Sequence, residues 1–417
     1  MSEQTISPSV LEHVRAALGH VVHMDLGEMD TPSAHHRLGS DVRGQVQAFV
    51  KARLVTRPAD ELRAELARAR RCAGETHRRV GSASLPQAVR QALEAYLASL
   101  DSWAEGACLE DLARDVMGDL RIDGGVVQPL DLAFLLQTET IGCQTGLLRD
   151  RDGGVLVWHT EEDHDVAVGG RFDRLRLFTC RASPESPSPS MTGFVYPDLM
   201  PGPAFGWCGP GYAHAVDAFY LRLSDDGPGI PANAVTWVCL YLGGALPPSQ
   251  VVRWLAPVQS GYALSSLCRT NGRIEAGVVE FLGDTCLESE LGPTPGAWTF
   301  TVNMLSPQAV AAAPGREDLP PEVRSGQVAR VERVHRAMNV LTEVPGDWGQ
   351  ALHRLLAFRV GGDFATSNPS VKATFVGRVS PQGTSYQVDP GPGLGRSAGA
   401  GGTERGFRLV TQESSSF

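Results

Sequence analysis

The residues whose types and spacing most clearly indicate chemistry are a cysteine that directly follows a glycine and a run of acids downstream of it. Gly142 and Cys143 begin a segment rich in strand-forming residues, and the acids at 161–163 end it. Between them, the Asp-Gly-Gly at 152–154 predicts a tight turn, because glycine reaches positive φ values without strain. Paired strands lie about 5 Å apart, so the open ends of this hairpin meet. The sequence therefore predicts that a thiol and a carboxylate lie close together.

A cysteine preceded by glycine is a residue pair that can cut its own chain. Gly142 has no side chain to obstruct a strained peptide, so the thiol of Cys143 can attack the carbonyl before it. The ester rearrangement that follows would release Cys143 as a new N-terminus. Its α-amine, with an ordinary pKa near 8, can then act as the base for its own thiol. A thiol with a pKa of about 8.5 needs only modest help to become a nucleophile.

The hairpin is preceded by a region with helical patterning, from Val10 to about Met117. In the runs that begin at Ala59 and Leu85, apolar residues recur at intervals of three and four, which is typical of helices with one buried face. Ser84 and Pro86 are helix-start signals for the second run.

Strand patterning dominates after Gly142, where short apolar segments alternate with Gly, Pro and Asp clusters. Beyond the hairpin, the predicted strands are Arg174–Arg181, Ala215–Arg222, Thr236–Leu242, Gly277–Leu282, Trp298–Val302, Ala373–Val379 and Ser385–Val388. The predicted helices are Ser249–Ala256, Gly261–Arg269, Pro321–Leu341 and Trp348–Phe358. Such an order indicates sheets covered by helices. The segment 183–190 is predicted as a loop, and 391–417 as a flexible Gly/Ser-rich tail.

Three segments, in the right order, resemble the acyl-coenzyme A:6-aminopenicillanic acid acyltransferase family. Gly142-Cys-Gln-Thr145 is similar to the family's Gly-Cys-Thr-Thr, and His159-Thr-Glu-Glu-Asp163 is similar to its His-Asn-Glu-Asp. Trp298-Thr-Phe-Thr-Val-Asn-Met-Leu-Ser-Pro307 looks like its Thr-Asn-His-Phe-Leu-Ser-Pro segment. The stretch 368–391 resembles the family's closing hairpin, which ends in an Asp/Ala-Pro-Gly turn. The resemblance runs from Cys143 to about Pro392.

The resemblance assigns roles to individual residues. Cys143 falls on the nucleophile, and Asn303 falls on the oxyanion-binding asparagine. The acid that orients the amine is Glu162 under one alignment and Asp163 under another, and the sequence leaves both open. Candidates for supporting roles are Thr145, His159 and Thr160.

The fold that the resemblance implies is α+β, the four-layer αββα sandwich of N-terminal-nucleophile hydrolases, with an N-terminal helical segment. Residues 1–142 are expected to become a small chain after self-cleavage, residues 143–390 to form the hydrolase or acyltransferase domain, and residues 391–417 to form the tail. The two cleaved chains are expected to stay associated.

The implied activity is that of a self-cleaving amidohydrolase or acyltransferase, a zymogen that acts on linear amide C–N bonds through a Cys143 thioester. Its substrate is expected to be a small-molecule or peptide amide. No metal or other cofactor is expected, although the family resemblance allows an acyl-coenzyme A co-substrate.

Composition narrows the classes of protein to which the chain could belong. A formal net charge of −10 over 417 residues disfavours a protein that binds nucleic acid by neutralising phosphates. The start of the chain lacks a secretory h-region, and no stretch reaches about 18 uninterrupted apolar residues, so a cytoplasmic protein without a membrane partner is expected. Its 8 cysteines are scattered singly, which favours reduced thiols.

Two alternatives stay open at this point. The chain could be an uncleaved, catalytically silent binding or scaffold protein of the same fold. It could also be an ordinary Cys/His enzyme that uses Cys208 with His214. A metal site is not expected from the scattered histidines near the N-terminus, because no zinc-binding spacing links them. Those histidines are His20, His23, His35 and His36.

Overall fold

The computed structural model is a mixed α/β protein with two large sheets. It describes residues 22–115, 118, 120–137, 142–162, 175–182, 190–209, 211–221, 229–317, 319–343, 348, 359–360, 363–364, 371–390 and 407–409. In chain order, the strands are β1 Val22–Leu26, β2 Arg121–Ile122, β3 Gly125–Val126, β4 Gly142–Arg149, β5 Val155–Glu162, β6 Arg176–Arg181, β7 Ser190–Val195, β8 Phe205–Cys208, β9 Tyr212–Ala218, β10 Val258–Thr270, β11 Arg273–Gly283, β12 Thr285–Glu290, β13 Trp298–Val302, β14 Arg359–Val360, β15 Asp363–Phe364, β16 Val371–Ser380, β17 Gly383–Pro390 and β18 Phe407–Leu409.

In the described part of the chain, five helices lie between β1 and β4, two lie between β9 and β10, and two lie between β13 and β14. They are α1 Thr31–Thr56, α2 Ala59–Val80, α3 Gln87–Gly106, α4 Leu109–Asp115, α5 Pro129–Leu136, α6 Ala232–Leu242, α7 Pro248–Leu255, α8 Pro307–Ala312 and α9 Pro321–Glu343. Within the described ranges, no helix is both long enough and apolar enough to cross a membrane.

Each large sheet has a defined strand order. The first has eight strands in the order β1-β6-β7-β8-β9-β10-β11-β12, and the second has six in the order β13-β4-β5-β16-β17-β18. In the first sheet β1 pairs parallel with β6, whereas the other neighbouring strands pair antiparallel. β4 therefore lies between β13 and β5, held by hydrogen bonds on both sides.

An apolar core joins one face of each sheet. Side chains of alternate residues in a strand point to opposite faces, and Leu147, Val157 and Phe375 of the six-stranded sheet cluster with Phe205 and Ala215 of the eight-stranded sheet. Stacked aromatic rings reinforce this contact, with the rings of Phe205 and Phe375 4.7 Å apart. The two sheets therefore pack against each other through these faces.

Helices pack on the opposite face of each sheet. Phe178 and Val216 of the eight-stranded sheet share a core with residues of α1 to α7. Leu148 and Trp158 of the six-stranded sheet share a smaller core with α9, including its Met338. The inner core is thus shielded on both sides by helices.

The hairpin predicted around Cys143 is confirmed as β4 and β5, with Gly153 at a φ of 82° in the turn. The predicted strands Arg174–Arg181, Gly277–Leu282 and Trp298–Val302 correspond to β6, β11 and β13. The predictions at Ala373–Val379 and Ser385–Val388 correspond to β16 and β17. Ala215–Arg222 overlaps β9, which begins three residues earlier and ends at Ala218.

Two secondary-structure predictions are wrong, and their causes are physical. Thr236–Leu242 belongs to helix α6, which begins after Pro231 and ends at Gly243 in the left-handed conformation, with a φ of 56°. Gly261–Arg269 belongs to strand β10, a 13-residue strand between β9 and β11. Both segments are largely buried on both faces, so the alternation of polar and apolar residues that would distinguish a helix from a strand is lost.

The N-terminal and C-terminal segments also differ from expectation. The segment 1–142 is not helical throughout, because β1 joins the eight-stranded sheet and β2 pairs with β3. Within the expected tail 391–417, Phe407–Leu409 forms β18 on the edge of the six-stranded sheet. The helices Ser249–Ala256 and Pro321–Leu341 are confirmed as α7 and α9. The predicted helix at 348–358 lies outside the described residues except for Trp348.

Candidate active site

Cys143 is the second residue of β4 and faces the eight-stranded sheet. It lies on the same face of β4 as Leu147 of the inter-sheet core, since residues two or four apart share a face. Its side chain is 2% exposed. Its backbone N–H donates to Asn303 Oδ1 at 2.9 Å, and its thiol donates to the carbonyl of Val216 at 3.0 Å. The thiol is therefore buried and held between the two sheets.

Asn303 contacts Cys143 through both ends of its side-chain amide. It directly follows β13, whose pairing with β4 aligns Val302 with Gln144. While Oδ1 accepts from the Cys143 backbone, Nδ2 donates to the carbonyl of Ala218 at 2.7 Å and lies 3.7 Å from Cys143 Sγ. These bonds fix which end of the amide faces the sulfur. Sequence reasoning singled out Asn303, and the structure brings it to the cysteine.

The acid that faces this region is Glu161. Strand register pairs Cys143 with Glu161, and Glu161 is completely buried. Its Oε2 lies 2.7 Å from His159 Nε2, and its Oε1 accepts from the Tyr196 hydroxyl at 2.8 Å. Sequence analysis treated Glu161 as one member of a charged run and gave it no role.

The two acids named from the resemblance are placed differently. Glu162 is the last residue of β5 and pairs with Gly142. Asp163 lies outside the described residues. A role for Glu162 or Asp163 stays a prediction. Thr160 is buried between His159 and Glu161 on β5, and strand alternation places it on the opposite face from those two residues.

A second buried acid, Asp217, comes from the eight-stranded sheet. Thr145 donates to Asp217 Oδ1 at 3.0 Å, and its hydroxyl also lies 2.8 Å from His159 Nδ1. Thr301 donates to the other carboxylate oxygen of Asp217. Because Asp217 lies on β9 and the two threonines lie on β4 and β13, this carboxyl links the two sheets through hydrogen bonds.

The hydrogen bonds constrain where the protons lie. When Asp217 is ionised it accepts from Thr145, so the Thr145 hydroxyl has no second proton and must accept from His159 Nδ1. The remaining nitrogen of His159 faces Glu161 across 2.7 Å, a distance that requires a proton between them. The His159–Glu161 pair therefore shares one proton inside the protein.

Burial governs the ionisation of the two titratable groups whose pKa values shift here. It raises the pKa of the Cys143 thiol well above its ordinary value, and the charges of Glu161 and Asp217 raise it further. Burial also raises the pKa of Asp217 to about 6, against the opposing effects of His159 and the threonine hydrogen bonds. In the intact chain the thiol is therefore neutral at physiological pH.

The rival pair Cys208 and His214 lacks this arrangement. His214 uses Nδ1 toward the Tyr212 hydroxyl at 3.1 Å and Nε2 toward the Gly202 carbonyl at 3.0 Å. Burial lowers the pKa of His214 to about 4. Cys208 belongs to the core on the helix-covered face of its sheet. Both ring nitrogens of His214 are thus engaged by groups other than Cys208.

Three side chains of the site offer metal-ligand atoms within 4.8 Å of one another, and all three are buried: Cys143, His159 and Glu161.

Among the histidines considered from the sequence, His35 is buried against Trp237, His23 contacts Thr179, and His36 is exposed. His20 lies outside the described residues.

Sequence reasoning missed Glu161 as a partner of the thiol and missed Asp217 and Tyr196 altogether. A signal for Asp217 was present, because it is a single acid in the apolar run from Tyr212 to Phe219. An acid in a strand of that kind must be buried and hydrogen-bonded.

Comparison of the chain with protein-family models and with curated proteins gives no match to either.

Proposed function

We propose that this protein is a self-cleaving N-terminal-nucleophile amidohydrolase or acyltransferase that acts through a Cys143 thioester. The observation that carries the proposal is the double contact of one amide side chain with one residue. Asn303 accepts from the Cys143 backbone N–H at 2.9 Å and places its Nδ2 3.7 Å from the sulfur. A nucleophile whose own nitrogen becomes the base needs both atoms to be held in this way.

The arrangement of sheets and helices supports the fold side of the proposal. Two sheets share an inner core, and helices pack on their outer faces. We infer from this order that the fold is the four-layer αββα sandwich of N-terminal-nucleophile hydrolases. The candidate nucleophile then lies near the start of an inner strand, at the open end of the β4–β5 hairpin and between the sheets.

The first step of the proposed reaction is cleavage of the chain at Gly142. Cys143 Sγ attacks the Gly142 carbonyl carbon while the thiol proton passes to the His159–Glu161 pair. The pair returns this proton to the leaving nitrogen as the C–N bond breaks, which leaves a thioester on sulfur and a neutral α-amine on Cys143. Water hydrolyses the thioester, which releases the Gly142 carboxylate and restores the thiol. The chain thereby becomes two polypeptides, 1–142 and 143–417.

In the mature enzyme, the freed amine of Cys143 takes the thiol proton as an amide substrate is attacked. Asn303 Oδ1 holds this amine, and Nδ2 donates to the oxyanion; one such donor contributes roughly 2.7 to 4 kcal/mol to transition-state stabilisation. The leaving amine departs with the proton, and the thioester passes its acyl group to water or to an acceptor amine. Such a route is compatible with an acyl-coenzyme A donor.

The two chains would remain together after cleavage. β1 of the N-terminal segment is hydrogen-bonded to β6, and the helices of that segment share a core with the eight-stranded sheet. Breaking one peptide bond leaves this buried apolar area unchanged. The proposed enzyme is cytoplasmic and acts on an amide substrate.

One observation favours the alternative, an uncleaved and catalytically silent binding or scaffold protein. Cys143 is 2% exposed in the intact chain, so a substrate cannot reach the thiol without a rearrangement of the residues around it. Under the enzyme proposal, this burial keeps the thiol inactive until cleavage. Under the alternative, the burial is permanent.

The mass of the purified protein distinguishes the two functions. The wild type is expected to separate under denaturing conditions into two fragments, one ending at Gly142 and one beginning at Cys143. Cys143→Ala is expected to stay intact, since alanine has no nucleophile. Cys208→Ala is the matched control and should be cleaved like the wild type. A wild-type chain that stays intact after prolonged incubation would show the enzyme proposal to be wrong.

A further inference from the structure

We propose that the intact chain binds one Zn²⁺ ion through Cys143 Sγ, His159 Nε2 and Glu161 Oε2, and that the ion blocks self-cleavage. The binding part of the inference is independent of the proposed function, whereas the block on cleavage rests on it. The three donors are a sulfur, an imidazole nitrogen and a carboxylate oxygen, within 4.8 Å of one another.

The donor set matches the preferences of zinc. Zn²⁺ takes thiolate, imidazole and carboxylate ligands at about 2.0 to 2.3 Å, so donor atoms around one ion stand roughly 3 to 4 Å apart. The His159 and Glu161 donors are 2.7 Å apart, and the sulfur lies within the same small cluster. To form three ligand bonds, the His159 and Glu161 donors must move apart and the thiol must leave the carbonyl of Val216.

Two hydroxyl groups behind the donors can orient them as metal ligands. A ligating histidine needs its other nitrogen held by a hydrogen bond, and Thr145 contacts His159 Nδ1 at 2.8 Å. The second oxygen of Glu161 accepts from Tyr196 at 2.8 Å. Each of these two partners leaves the proposed ligand atom directed at the cluster.

The charge at this position also favours a cation. The carboxyl groups of Glu161 and Asp217 are both buried here, and each is hydrogen-bonded to a residue of the candidate site. A divalent cation at the cluster would offset the negative charge that these groups carry when ionised. On binding, Cys143 gives its proton to solvent, the proton shared by His159 and Glu161 is also released, and the three protein ligands replace three waters of hydrated Zn²⁺. A sulfur bonded to zinc cannot attack the Gly142 carbonyl.

Cobalt substitution tests the binding directly. The full chain, stripped of metal with a chelator, is titrated with Co²⁺, and the near-ultraviolet charge-transfer band of a Co²⁺–thiolate bond is recorded. We expect one Co²⁺ per chain, displaced by an equal amount of Zn²⁺. Cys143→Ser should abolish the thiolate band. Tyr196→Phe should weaken Zn²⁺ binding by about 10- to 100-fold, and His159→Gln, which removes a ligand, should weaken it more.

Cys286→Ser is the matched control, because Cys286 is a partly exposed thiol on β12 that could bind metal adventitiously. It should leave the band and the affinity unchanged. Circular dichroism of each variant shows whether it is folded. A wild-type titration without a thiolate band, or a band that survives in Cys143→Ser, would overturn the inference whatever the variants do.

The intact mass of the same samples separates this inference from the proposed function. Cleavage of the metal-free chain that Zn²⁺ slows supports both. Metal binding by a chain that never cleaves supports the site and overturns the block on cleavage together with the proposed function. Cleavage at the same rate with and without Zn²⁺, and no thiolate band, overturns the metal inference and leaves the proposed function standing.

Discussion

Asp217 connects the two large sheets at the candidate site. It is fully buried on β9, yet it accepts hydrogen bonds from Thr145 and Thr301 of the other sheet. Only the packing of one sheet on the other brings these residues together, and local sequence patterns carry no information on that packing. The pairing of Cys143 with Glu161 is different, because it follows from the predicted hairpin once its turn is known.

Asp217 should make folding stability depend on pH in a distinctive direction. Burial raises its pKa in the folded state to about 6 from the ordinary value of 3.8, so the folded protein binds this proton more tightly than the unfolded chain does. Its contribution is therefore present below about pH 4 and is lost as pH rises to about 6. The two-unit shift corresponds to about 3 kcal/mol in the free energy of unfolding.

Asp217→Asn removes this titration. Urea unfolding between pH 4 and pH 7 should show the variant gaining stability relative to the wild type by about 3 kcal/mol as pH rises. Asp284→Asn changes the same group at an exposed turn between β11 and β12 and serves as control. A difference between Asp217→Asn and wild type that does not change with pH would contradict the prediction.

At the scale of elements, helices α1 and α3 cross at close range. A Cβ added at Gly39 would lie 2.2 Å from the carbonyl oxygen of Trp103, and one added at Gly106 would lie 2.2 Å from that of His36. Arg43 donates to the Gly106 carbonyl across the same crossing at 3.2 Å. The two glycines therefore allow the helix backbones to touch.

Gly39→Ala should force these helices apart. We expect it to lower the free energy of unfolding by about 1–3 kcal/mol, which is typical of overpacking against backbone. Gly44→Ala lies on the same helix with nothing within 4 Å of the added methyl, and it should stabilise the protein by up to about 1 kcal/mol. Thermal or urea denaturation measures both variants. Equal effects of the two substitutions would show that the crossing is not tightly packed.

Sequence patterns predict some secondary-structure elements correctly and others wrongly. Where one face of an element is polar or a turn residue is distinctive, as in the hairpin closed by Gly153, the prediction is correct. Where an element is buried on both faces, as in α6 and β10, polar and apolar residues no longer alternate with the period of the element, so the pattern does not identify it.

At the scale of the whole molecule, the N-terminal segment is part of the same core as the eight-stranded sheet. His35 on α1 illustrates this, because its ring packs against Phe178 of β6 and Trp237 of α6. Its Nδ1 donates to the Thr31 carbonyl at 2.6 Å, and its Nε2 accepts from the Trp237 indole. The sequence indicated a helix here but not its partners.

Buried His35 should make the whole fold sensitive to acid. Burial lowers its pKa to about 4, below the ordinary 6.5, so the folded state favours the neutral ring. The folded protein therefore has its full stability above pH 6.5. As the pH falls toward 4, protonation lowers the free energy of unfolding by about 3 kcal/mol. His35→Gln should unfold with a shallower pH dependence than the wild type in this range.

His36→Gln is the control for that measurement, because His36 is the exposed neighbour on the same helix. Urea unfolding at several pH values between 4 and 7 gives the slope for each variant. The control should keep the wild-type slope. A His35→Gln protein with an unchanged slope would mean that the ring can accept a proton without leaving its contacts.

The alignment of β4 between β13 and β5 has a consequence for where the chain would break. Strand register alone presents Cys143, rather than Gln144, to the opposite sheet, since a slip of one residue exchanges the two faces of a strand. Under the proposed function, the scissile bond is thus selected by position within folded architecture and not by a recognition motif that a protease would read. Under that function, self-cleavage would begin only once the strands have paired in the folded protein.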